Sequence, residues 1–137
     1  MRTLDIPRKI SSLGDLFAFL EEDCAEHTVD EKTVFALNLA AEELFTNLVR
    51  HNVGGTDVIR VGIDITPERI EMEMVDFKVE KFDPNSVDDV DVARPAEERE
   101  PGGLGIHLVK SIVDRLTYAY SSGQMTVTVV KNRREHV

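Results

Sequence analysis

Apolar residues recur along this chain with two periods, and the changes of period mark its elements. Leu13, Leu16, Phe17, Leu20 and Cys24 keep the three-to-four spacing of a helix from Ser11 or Ser12 to about His27, with serine placed to cap it. Leu37, Ala40, Ala41, Leu44, Phe45 and Leu48 repeat that spacing and predict a second helix, capped by Asp30 and stopped near Gly54-Gly55. The period then drops to two. Val58, Ile59, Val61, Ile63 and Ile65 predict a strand, Thr66-Pro67-Glu68-Arg69 a turn, and Ile70, Met72 and Met74 an antiparallel return ending at Asp76.

Thr3 to Ile6 alternates briefly and stops at Pro7, as a short edge strand does. Leu104, Leu108, Val109, Ile112 and Leu116 mark a third helix, with Lys110 and Arg115 near its end. Thr117–Tyr120 and Met125–Val130 form a last hairpin around Ser121-Ser122-Gly123-Gln124. Between Phe77 and Pro101 regularity is lost to prolines and acids, and loops of such length tend to be lids or binding segments. The order β-α-α-β-β-loop-α-β-β predicts an α/β (α+β) two-layer sandwich: a mixed, mostly antiparallel sheet with helices on one face, in a single domain over residues 1–137.

The net charge of −10 argues against a nucleic-acid partner, which needs a basic face. The sequence has neither a run of the ~20 apolar residues that span a membrane nor the apolar core of a signal peptide at its start, so the expected compartment is the cytoplasm. Cys24, the one cysteine, permits no internal disulfide and belongs to the apolar stripe of the first helix.

Chemistry enters on the second helix. Glu43, Asn47 and His51 stand four apart and rise from one face: a carboxylate that accepts protons, an amide oxygen suited to Mg²⁺, and an imidazole. By itself such a row is also what a solvated face looks like. A second stretch, Pro101-Gly102-Gly103-Leu104-Gly105-Ile106, opens the third helix with glycines that let backbone N–H groups approach an anion. It is neither a dinucleotide fingerprint, lacking the third glycine at Leu108, nor a P-loop, lacking Gly-Lys-Ser/Thr. Asp76-Phe77-Lys78 only superficially matches the metal-binding tripeptide of eukaryotic-type kinases. The loop acids show no ligand spacing and read as a solvated face.

Taken in order, Glu43-x-x-x-Asn47, a hairpin ending at Asp76, a long loop and Gly-Gly-x-Gly before a helix resemble the GHKL (histidine-kinase-like) ATPase superfamily and its Bergerat fold. Within it the chain is most similar to the stand-alone anti-sigma-factor serine/threonine kinases of bacterial partner switching. That resemblance implies ATP and Mg²⁺ as cofactors, Glu43 as general base, Asn47 as metal ligand and Asp76 as acceptor for the adenine amine. It implies that Gly102, Gly103, Leu104 and Gly105 wrap the phosphates and that Phe82 belongs to Phe82-Asp83-Pro84, the family's stretch after the aspartate. Residues 85–100, within a loop of about 77–101, become the ATP lid, and Arg50 and His51 border the pocket. Thr126 or Thr128 approaches adenine from the last strand. The implied partners are an anti-anti-sigma factor with a STAS domain, a sigma factor and a second copy of the chain. Lys78 stands where the family has glycine, a departure that also suits a catalytically weak binding module with nucleotide as a conformational ligand only.

Overall fold

In the computed structural model, residues 1–51, 57–77 and 103–133 of the chain are described. Five strands, β1 (Arg2–Pro7), β2 (Val58–Ile65), β3 (Arg69–Asp76), β4 (Arg115–Ser121) and β5 (Gln124–Asn132), form one sheet in the order β1-β2-β3-β5-β4. Every neighbouring pair is antiparallel, so the mostly antiparallel sheet expected from the sequence is found, with no parallel pair among the described strands. Connectivity explains this. Two successive helices, α1 (Leu13–Glu26) and α2 (Glu31–His51), separate β1 from β2, and two passes return the chain antiparallel. Helix α3 (Gly103–Ile112) precedes β4, which runs parallel to β3, but β5 folds back and fills the place between them.

The helices cover one face of this sheet, because only one phase of each strand is apolar. Ile59, Val61, Ile63 and Ile65 on β2, Ile70, Met72 and Met74 on β3, and Met125, Val127 and Val129 on β5 are all buried. They meet Leu16, Leu20 and Cys24 of α1, Leu37, Leu44, Phe45 and Leu48 of α2, and Ile106 of α3. Each large aliphatic residue buried there contributes roughly 1.5–3 kcal/mol. Asp76 closes the same file on β3, opposite Ile59 and Met125, and is fully buried: a carboxylate at the end of a hydrophobic row. Thr126 and Thr128 lie in the other phase, opposite Val75 and Glu73, so the register turns both away from the face that carries Asp76.

Helix ends follow local chemistry. Asp30 accepts bonds from the Thr33 N–H (3.2 Å) and the Thr33 hydroxyl (2.6 Å), a capping arrangement at the start of α2. Ser12 precedes α1 without a side-chain cap, because the chain arrives there through a 3₁₀ turn, Ile10–Ser12. The third helix is shorter than the apolar pattern suggests. The Asp114 N–H bonds Val130 O at 2.9 Å, which hands the backbone to the sheet and places Arg115 and Leu116 in β4. Ser122 and Gly123, both at positive φ (50° and 82°), make the tight turn between β4 and β5.

Candidate functional site

Helix α2 carries Glu43 and Asn47 on successive turns of a partly buried face. With Glu42, Thr46 and Arg50 of the same helix, and Ile10 and Leu13 from the segment before and at the start of α1, they line a recess of about 240 Å³. Small-molecule sites usually measure roughly 300–1,000 Å³. The recess lies just below that range.

Helix α3 closes on this recess at Gly105. A Cβ placed there would lie 2.7 Å from Cδ of Glu43, so any larger residue would push that carboxylate aside from the first turn of α3. The glycine stretch and the Glu43/Asn47 row, some sixty positions apart in sequence, thus converge on one point. A carboxylate beside the first turn of a helix is electrostatically favoured there. The same field and close backbone approach favour a phosphate oxygen.

Asp76 forms the other end. It is paired with Arg8, the residue just after β1. Arg8 also donates from Nη1 to Leu48 O (3.0 Å) and from its backbone N–H to Asp57 O (2.7 Å), so its guanidinium bridges α2 and the end of the sheet. Burial pulls the Arg8 pKa down, and the charge of Asp57 opposes that pull; a guanidinium still keeps its proton at neutral pH. Arg8 is the site residue that sequence reasoning missed. A basic residue between a strand-ending proline and Lys9 belongs to no periodic pattern, and only the topology brings it beside Asp76.

Glu43, Asn47, Arg50 and Gly105 are therefore brought together, while Asp76 is linked to α2 through Arg8. Gly103 and Leu104 open α3, and His51 ends α2. Lys78, Phe82, Gly102 and the lid expected at residues 85–100 fall outside the described residues. Among the described residues, no three His, Cys, Asp or Glu side chains cluster as a metal site. No described helix is long and apolar enough to cross a membrane.

A family model described as the histidine kinase-like ATPase domain matches residues 6–131. The chain belongs to this family. As a histidine kinase-like ATPase domain it is similar to the serine/threonine-protein kinase BtrW of Bordetella bronchiseptica, with 23% identity over 132 residues, 95% of this chain and 92% of that protein. Its fold is also similar to part of the crystal structure of the RsbU and RsbW domains of Rv1364c from Mycobacterium tuberculosis, with a TM-score of 0.66 and 18% identity. That match covers 97% of this domain but 33% of the other chain, so the domain spans about a third of that protein.

The residues of this histidine kinase-like ATPase domain fit a magnesium nucleotide. Gly105 lets the first turn of α3 approach the Glu43 carboxylate, Asn47 lines the recess with an amide that suits a hard cation, and Asp76 is a buried carboxylate, a hydrogen-bond acceptor held by Arg8.

Proposed function

We propose that this domain binds Mg-ATP and is a serine/threonine protein kinase whose substrate is an anti-anti-sigma factor of the STAS type, with sequestration of a sigma factor as its companion activity. The observation that carries this reading is Gly105 packed on Glu43 with Asn47 in the same recess. Similarity to a serine/threonine-protein kinase over nearly the full length of both chains supports the choice of reaction.

When bound, Mg-ATP supplies the activated phosphoryl group. Glu43 would take the proton of the attacking hydroxyl, whose oxygen would replace ADP on the γ-phosphorus, with ADP as the leaving group. Asn47 would hold the metal through its amide oxygen, a hard donor of the kind that Mg²⁺ takes. The first turn of α3 would offer backbone N–H groups to phosphate oxygens, and Asp76 would accept from the adenine amine, a pure donor. Such transfer depends on positioning and charge neutralisation, so few side chains suffice. The acidic surface of the domain, with a net charge of −10, is suited to a partner with a basic patch.

The experiment is incubation with labelled ATP and a panel of STAS-domain partners. Label should pass to a partner serine or threonine, and Glu43→Ala should abolish it; transfer to none, or transfer indifferent to Glu43→Ala, contradicts the reading.

One observation favours a second reading, a binding module that uses nucleotide only as a conformational ligand: Arg8 already satisfies Asp76. That module would retain its protein partner in a pull-down with Glu43→Ala and show no transfer. Either form is proposed to work as a homodimer in the cytoplasm, which a mass measurement at working concentration tests for the first point.

A further inference from the structure

We infer that Arg8 is a nucleotide-site residue: in the free protein its guanidinium occupies Asp76, and a bound base must displace it. The inference rests on the nucleotide reading above and adds to it a residue that sets affinity. Three features carry it. Asp76 is fully buried and ion-paired with Arg8, whose own side chain is only 12% exposed. A buried carboxylate is costly without such a partner. The Arg8 side chain is anchored on Leu48 O of α2, one residue beyond Asn47, so it joins the helix that carries Asn47 to Asp76 at the end of β3. Finally, Arg8 stands two positions before Ile10, which lines the recess of Glu43 and Asn47. The short segment between β1 and α1 therefore touches both ends of the site.

The exchange is unequal. Adenine offers Asp76 a neutral amine, whereas Arg8 offers a charged donor, and charge-assisted hydrogen bonds are about twice as strong as neutral ones. Binding is therefore weakened by the Arg8–Asp76 pair, and the released guanidinium keeps Leu48 O within reach. The device needs no lid and no second ligand: it makes the empty site self-satisfied.

The test is titration with Mg-ADP of wild type, Arg8→Met, Asp76→Asn and the double variant. Arg8→Met should bind about tenfold more tightly, the size expected for replacing a charged competitor by none. In the Asp76→Asn background, removing Arg8 should bring no gain. Unchanged or weaker binding by Arg8→Met, with Asp76→Asn impaired, overturns the inference and leaves the nucleotide site standing. Binding indifferent to Asp76→Asn, or no binding by any form, overturns both together. Because Arg8→Met strips a buried carboxylate of its cation, the wild type is also read directly by ¹⁵N NMR. The Arg8 guanidinium protons should be slow to exchange in the free protein and lose that protection at nucleotide saturation. Protection that persists at saturation contradicts displacement whatever the variants do.

Discussion

Gly105 touches Glu43 so closely that a methyl group on the glycine would lie 2.7 Å from the carboxylate carbon. One contact thus ties the first turn of α3 to the proposed general base. It also separates folding from function, because the obstructed atoms are the far end of a flexible side chain.

Gly105→Ala should therefore fold and lose activity. Alanine inside a helix is favoured over glycine by roughly 0.8–1 kcal/mol, which offsets part of the cost of moving the Glu43 side chain. A displacement of about 1 Å at a reacting group can cost on the order of 100-fold. Thermal denaturation should shift by only a few degrees, while phosphotransfer falls by about 100-fold; an active, unshifted Gly105→Ala would separate Glu43 from the chemistry.

Glu43→Gln keeps the shape and removes the proton acceptor. Transfer should drop by about 10²–10⁴-fold, the usual worth of a general base, with Mg-ADP affinity held within about threefold. Single-turnover assays and a binding titration read the two quantities apart. Loss of binding with the rate constant preserved would assign Glu43 to affinity instead.

Cys24 should be inert in the native protein. Burial first, and then the neighbouring Asp23, push its thiol up to about 11. At neutral pH roughly one molecule in 10⁴ then carries the reactive thiolate. A disulfide reagent should label Cys24 only as the chain unfolds, at a rate that rises with denaturant.

Asp30 should stabilise the fold in a pH-dependent way. Its bond from the Thr33 hydroxyl is the main cause that holds its pKa below the usual value. The contribution is complete above the ordinary carboxylate range and is lost as pH falls through the lowered folded value. Asp30→Ala should cost about 1 kcal/mol at pH 7, and the gap to wild type should close in acid. Urea denaturation at both pH values measures it.

Most of the architecture was legible in the sequence because the two periods are clean. The hairpin from Val58 to Asp76 and the stripe of α2 follow directly from alternating and three-to-four spacing. The end of α3 was not, since Leu116 fits a helical stripe as well as a strand. The Asp114–Val130 backbone bond that decides it joins residues that are distant in sequence. In the site, Glu43, Asn47 and the glycines announce themselves by spacing, and their convergence at Gly105 emerges only in three dimensions. Arg8 carries no local signal at all. Its role comes from strand order, which puts the end of β1 two strands from Asp76, within reach of a long side chain.

The most direct test of the account is calorimetric titration of wild type, Asn47→Ala and Asp76→Ala with Mg-ATP and Mg-ADP. The account predicts one nucleotide per chain for wild type, loss of magnesium dependence in Asn47→Ala and loss of binding in Asp76→Ala. Absence of binding to wild type, or binding that neither substitution alters, would contradict it.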